Sequence, residues 1–287
     1  MTVRQLSLPD LAEACVRLGV RGVGLWREPV ASYGLDATSK LLRDTGLEVT
    51  SLCRGGFLTA IEPDARAAAI DDNRAAIDEA AALGTDTLVL VSGGLPPGSK
   101  DLVGARERVA DALSSLAPYA AARGVRLAIE PLHPMFASDR CVVSTLGQAL
   151  GIAERFPAAE VGVVVDTYHV WWDETAPEAV ARAGSAGRIH AFQLADWVTP
   201  LPAGVLNGRG QLGEGAVDLA GWCGLLKEAG YAGPVEVELF NETLWTEDGV
   251  TLLTDTAHRA TRLLRQPGPL PGSRPGPRET PPAQPLP

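Results

Sequence analysis

Seven short apolar runs recur along the chain, separated by longer stretches with helical spacing. The runs are GVGLW at 22–26, LEVTSLC at 47–53, DTLVLVS at 86–92, RLAIEP at 126–131, VGVVVDT at 161–167, RIHAFQLA at 188–195 and VEVELF at 235–240. Helical patterns lie near 8–18, 37–45, 65–83, 101–123, 144–155, 175–184, 217–229 and 248–265. Ser7 and Asp10 have the spacing of a capping box at the first of these. Gly19, Gly46, Gly84, Gly124 and Gly230 each end a helical stretch just before a strand, where a left-handed stop suits a residue without Cβ. A strand–helix repeat of about 30–40 residues implies parallel strands joined by right-handed crossovers. Parallel strands are covered on their outer faces, which accounts for the unbroken Val, Leu and Ile content.

Four of the runs end on oxygen-bearing side chains: Glu130, Asp166, Gln193 and Glu238. A carboxylate ending a buried strand is costly unless something positive meets it. Four such groups converging from separate strands are suited to a hard divalent cation. Period-two alternation places Glu130 on one face with Ala128 and Arg126, and Asp166 with Val164 and Gly162. It places Gln193 with Ala191 and Ala195, and Glu238 with Glu236. On all four strands the bulky apolar residues take the other face. A closed (β/α)8 TIM-type barrel with a polar mouth has this pattern, because its functional groups gather at the C-terminal strand ends. An all-oxygen set favours Mg2+ or Mn2+, with Co2+ admissible, over Zn2+.

The chain opens almost at once with a helix, so the first barrel strand is truncated or missing in this reading. Either Met1–Gln5 supplies a stub of it, or it lies upstream. Residues 1–265 are expected to form the barrel. Residues 266–287 hold nine prolines and almost no large apolar side chain, the composition of a disordered tail with a possible PxxP ligand role.

A formal charge of −10 and a pI near 4.9 argue against a nucleic-acid or anionic-membrane partner. Cys15, Cys53, Cys141 and Cys223 form no CxxC pair and read as free thiols in a reducing cytoplasm. No run reaches the length of a membrane span, no Walker loop is present, and no GxGxxG directly joins a strand to a helix. A GxSxG elbow is also lacking.

EPLHP at 130–134, DTYHVWW at 166–172, QLAD at 193–196, GEG at 213–215 and GYAGPVEVE at 230–238 together resemble the xylose isomerase-like TIM barrels. That superfamily includes sugar isomerases and epimerases, inosose and 3-dehydroshikimate dehydratases, and AP endonucleases. The resemblance runs from about Ser7 to Arg265 and implies Glu130, Asp166, Gln193 and Glu238 as metal ligands. It implies His169 and Arg209 as substrate contacts, with Arg209 on an R-x-x-x-G-E-G loop, and His133 as a residue near the metal. Most members carry His where Gln193 stands, and some dehydratase-like members carry Gln. His190 is expected on the opposite strand face from Gln193. Trp171 and Trp172 are either core or an aromatic wall for a sugar, and Trp172 is counted among the substrate contacts. Glu236 is expected to pair with a buried cation, Arg126 being a candidate, and Arg54 either binds an anion at the mouth or forms a surface salt bridge.

The function these readings imply is a metal-dependent isomerase or epimerase of a sugar or sugar-like polyol; the resemblance to ketose epimerases implies Glu130 and Glu238 on opposite sides of the substrate, one removing the α-proton and the other returning it. The alternatives are a dehydratase of the inosose or 3-dehydroshikimate type and a non-catalytic sugar-binding barrel. Endonuclease chemistry is disfavoured by the acidic charge and by having only His133, His169, His190 and His258.

Overall fold

The computed structural model describes residues 1–265; the proline-rich stretch 266–287, and with it the expected tail and its PxxP role, lies outside the described residues. All seven expected strands form: β1 (Gly22–Trp26), β2 (Glu48–Gly56), β3 (Thr87–Val91), β4 (Arg126–Glu130), β5 (Val161–Asp166) and β6 (Ile189–Leu194), with the seventh near the C-terminal end. Two short strands intervene, β7 (Asp196–Trp197) and β8 (Arg209–Gly210), paired as a separate antiparallel ribbon. The last strand, β9 (Val235–Val237), completes a parallel sheet in the order β1-β2-β3-β4-β5-β6-β9. With helices around it, this is a seven-stranded, nearly closed barrel of the TIM type.

Local chemistry sets the element ends. Ser7 Oγ accepts the Asp10 N–H, and its own hydroxyl donates to the Asp10 carboxylate, which starts helix Leu8–Leu18. Gly19, Gly46 and Gly84 stop their helices at φ of 69°, 68° and 77°. Helix Arg27–Tyr33 and the one-turn helix Thr167–Val170 were not expected, because seven and four residues are too few to show helical periodicity.

The alternation argument holds through the middle of the barrel. Cys53, Val89, Ala128, Val164 and Ala191 form a small interior cluster on β2 to β6, distinct from the large core between strands and helices. Glu130, Asp166 and Gln193 each stand two residues further along the same faces. Alternation fails in two places. Ala195 joins the outer core, since Thr167 Oγ1 donates to its carbonyl and accepts its N–H, turning the chain off the strand. His190 is the extra residue of a β-bulge: Val163 pairs with Ile189 and Val164 with Ala191. Its ring therefore occupies the interior face of Gly162, where a Cβ would meet it at 2.6 Å, and not the opposite face.

The sheet does not close between β1 and β9, which are its two ends. Along this seam lies a cavity of ≈690 Å³ lined by both strands and by the helices at Leu8–Leu18 and Gly249–Arg265. Residues 1–5 form turns across the seam and not the stub of a strand. Thr2 Oγ1 donates to the Val237 carbonyl at 2.7 Å and accepts the Leu239 N–H at 3.0 Å.

Candidate active site

The interior layer above Ala128, Val164 and Ala191 carries the polar groups. Glu130 ends β4, Asp166 ends β5, Gln193 sits opposite Asp166 on β6, and Glu238 follows β9; all four are buried. Asp166 also caps the turn after its strand, accepting the Tyr168 N–H at 2.8 Å. That turn brings His169 back over the site, its Nε2 at 3.9 Å from both Glu130 Oε1 and Asp166 Oδ2. Glu130, Asp166 and His169 each offer a ligand atom within 4.8 Å of the others'.

Arg209 reaches the same place from the β7–β8 ribbon. Its Nη1 donates to Asp166 Oδ2 at 2.9 Å and lies 3.0 Å from Glu238 Oε2, and its Nη2 is 3.2 Å from His169 Nε2. Trp26 Nε1 donates to the other Glu238 oxygen at 3.2 Å. The ribbon is anchored by Asp196, whose carboxylate accepts the N–H groups of Gly213, Gly215 and Val217. A Cβ on Gly215 would stand 2.4 Å from that carboxylate, so the GEG loop needs glycine there to wrap Asp196. The anchoring role of Asp196 was missed in the sequence; its place three residues after Gln193 and ahead of a glycine-rich loop was the available signal.

Burial and mutual repulsion dominate the electrostatics. Burial, then the charges of Asp166 and Glu238, pushes Glu130 well above the usual carboxylate range. Burial lifts Asp166 to about 6 although Arg209 opposes it. Burial also works against the charge of Arg209, but Asp166, Glu238 and Glu130 outweigh it and hold the guanidinium protonated. His169 is driven well below its ordinary value by burial and then by Arg209, so its ring is neutral. The His133 N–H at Nδ1 (3.2 Å) and Arg209 at Nε2 compete for the one acceptor nitrogen of that ring.

The other sequence candidates divide. His133 stands beside the site, supporting His169 through its backbone while its ring packs on Trp172 and Trp197 at 5.4 and 5.0 Å. Trp172 is half-buried and donates to the His169 carbonyl at 2.8 Å, so it braces the turn as well as walling it. Arg126 does not reach Glu236: it pairs with Asp86 at 2.9 Å, at the opposite end of β4 from Glu130. Glu236 instead accepts from Thr50, Ser51 and Gln193. Arg54 has no carboxylate partner among the described residues and lies over the Phe57 ring at 4.3 Å. His190 bonds the Ala158 carbonyl at 3.0 Å and plays no part in the cluster.

The donor set fits a divalent cation. Three buried carboxyl groups face one guanidinium, so a further positive charge is needed before all three can ionise together. Gln193 Oε1 is buried and without a partner, and Gln193 shares a small cavity of ≈40 Å³ with Glu238.

A family model described as "Xylose isomerase-like TIM barrel" matches residues 12–257. The chain is similar to the 3-dehydroshikimate dehydratase of Pseudomonas aeruginosa, at 29% identity over 243 residues, covering 82% of this chain and 36% of that protein. It is similar to the inosose isomerase of Bacillus subtilis at 32% identity over 133 residues, 45% of each. The chain thus spans about a third of the dehydratase's length and under half of the isomerase's. Among solved structures it resembles protein SMc04130 of Sinorhizobium meliloti, with 43% identity, a TM-score of 0.88, and coverage of 91% of this chain and 95% of that one. The chain belongs to the xylose isomerase-like TIM-barrel family.

Proposed function

We propose that this chain is a divalent-metal-dependent isomerase or epimerase that moves a proton next to the carbonyl of a sugar-like polyol. The observation that carries it is the layer of Glu130, Asp166, Gln193 and Glu238 at one barrel mouth, buried, short of positive charge and flanked by Arg209 and His169. These four residues would hold Mg2+ or Mn2+, which would supply Lewis-acid polarisation of the carbonyl and its neighbouring hydroxyl. Among the described residues Glu130 has no arginine bonded to it, which leaves its carboxylate free to act as a general base once a cation offsets its acidic neighbours. Glu238 returns the proton from the other side. Arg209 neutralises charge that develops on substrate oxygen, and His133, Trp172 and Trp197 wall the mouth with rings.

The test is a screen of ketoses, inososes and 3-dehydroshikimate with Mg2+, Mn2+ and Co2+, followed by deuterium uptake from solvent at the carbon beside the carbonyl. Glu130→Gln and Glu238→Gln are each expected to lower kcat by about 10³-fold or more with the fold retained, about 4 kcal/mol of barrier. Full activity in both variants, or insensitivity to EDTA, overturns the reading.

A second reading, a dehydratase on the same site, is favoured by the unequal surroundings of the two glutamates. Glu238 is bonded to Arg209 and Trp26, whereas Glu130 faces the neutral imidazole of His169 at 3.9 Å. One unencumbered carboxyl group suits removal of the proton and its return to the departing β-hydroxyl, which leaves as water. Loss of water with a new conjugated absorbance separates this outcome from isotope exchange without net loss.

A further inference from the structure

Gln193 stands where an amide ligand is at a disadvantage, because an amide presents oxygen or nitrogen with almost equal ease. Its surroundings remove that ambiguity. Gln193 Nε2 donates to Glu236 Oε2 at 2.9 Å, while Gln193 Oε1 is buried and has no partner. An ionised carboxylate only accepts, so the nitrogen must face Glu236 and the oxygen must face away from it.

Glu236 is itself held against rotation. Its Oε1 accepts from Thr50 Oγ1 at 2.5 Å and Ser51 Oγ at 2.7 Å. Two successive residues reach one oxygen because the β1–β2 register shifts there: Val23 pairs with Val49 and Gly24 with Ser51, so Thr50 is the extra residue of a bulge. Gly24 makes room for the carboxylate, since a Cβ there would stand 3.2 Å from it. Gln193 and Glu236 are also directly paired across β6 and β9. Gln193, Glu236 and Glu238 line the same ≈40 Å³ cavity.

We propose that Glu236 is a positioning residue that locks the Gln193 amide with its oxygen toward the cation site, making Gln193 a hard, neutral ligand. The inference rests on the reading that the site holds a divalent cation. Glu236 touches neither cation nor substrate in this role; it acts through Gln193.

The experiment measures Mn2+ affinity of the full chain by calorimetry and by the electron paramagnetic resonance of bound Mn2+. Glu236→Gln allows the Gln193 amide to face either way, and Mn2+ affinity is expected to fall roughly 10- to 100-fold, as for loss of an outer-shell partner. The swap Gln193→Glu with Glu236→Gln keeps the net charge and puts at 193 a group that needs no orienting. It is expected to recover affinity to within about threefold of the unaltered protein, between about a third and a thirtieth of the single-variant loss. A merely structural role would lower the melting temperature of both variants without this recovery. Unchanged affinity in Glu236→Gln, or equal losses in the single and swap variants, overturns the proposal and leaves the metal site standing. No Mn2+ binding by the unaltered protein sinks the metal reading, and this inference with it. Where Glu236→Gln alone does not fold, a swap variant that binds Mn2+ more than about tenfold more weakly than the unaltered protein overturns the proposal.

Discussion

The barrel has two unlike sides. From β2 to β6 every neighbouring pair of strands is joined by a parallel ladder, with bulges in β2 and β6, and the residues of β3, β5 and β6 are buried throughout. At the seam, β1 and β9 lack a ladder between them, and the three residues of β9 are only half-buried. Side chains span that gap instead. Glu236 reaches past Gly24 to Thr50 and Ser51, Trp26 reaches Glu238, and Thr2 binds the backbone of Val237 and Leu239. Glu130, Asp166 and Gln193 lie within backbone ladders; Glu238 lies just past β9, where its N–H still donates to the Leu194 carbonyl at 3.1 Å, and its carboxylate is held by Trp26 and Arg209. The ladder side carries three of the four proposed ligands, and the seam side carries the fourth.

The largest test of this contrast is one substitution made on both sides. Leu127 of β4 is fully buried between strands and helices, and Leu25 of β1 is buried but lines the ≈690 Å³ seam cavity. Leu127→Ala is expected to cost about 4 kcal/mol and Leu25→Ala about 2 kcal/mol, because a site beside existing space loses fewer packing contacts. Urea midpoints measure both, and native-state amide exchange should show β1 and β9 opening before β3 and β4. Equal costs and equal protection would mean that the seam is as tightly bound as the ladders.

Legibility in the sequence follows the same division. The inward placement of Glu130 and Asp166 was readable because alternation holds along β4 and β5, and that of Gln193 because alternation resumes at Ala191 past the bulge; the strand count and glycine stops were readable for local reasons. What failed was tied to bulges and turns. The bulges at Thr50 and His190 each put two residues of one strand against one of its partner, and period two carries no mark of that. Arg126 was a plausible mate for Glu236 by charge and face, yet the paired hydroxyls at 50 and 51 satisfy that carboxylate. Asp196 went unread because its partners are backbone N–H groups some twenty residues on, which no side-chain motif announces.

The bulged His190 supplies a test of the arc by pH. Burial lowers this imidazole from 6.5 to about 4, with Arg126 adding to the effect. The unfolded chain takes up a proton below pH 6.5 and the folded chain resists until about 4, so stability is greatest above 6.5 and is lost as pH falls through that window. The loss from this residue is about 3 kcal/mol at most. His190→Gln keeps a donor for the Ala158 carbonyl and removes the titration. The difference in urea midpoint between pH 7 and pH 4.5 should therefore shrink in the variant. An unchanged difference would show that the floor of the barrel admits water enough to charge the ring.

The finest comparison uses one bonding motif that occurs on both sides. Thr167 Oγ1 donates to the Ala195 carbonyl at 2.7 Å and accepts its N–H at 2.9 Å, where both residues are fully buried. Thr2 Oγ1 makes the same two bonds to Val237 and Leu239 across the seam. Valine keeps the shape of threonine and removes the hydroxyl, so each substitution strands one carbonyl and one N–H. Beside the ladders those groups have no route to water, and Thr167→Val is expected to cost about 2 kcal/mol. At the seam the turn formed by residues 1–5 has room to shift and the Val237 carbonyl to find solvent, so Thr2→Val is expected to cost about 1 kcal/mol. Urea midpoints of the two variants, measured at one pH, give the ratio. A larger loss for Thr2→Val would mean that the hydroxyl bridge, and not the space around it, limits how far the seam opens, and that Glu238 depends on Thr2 for its position.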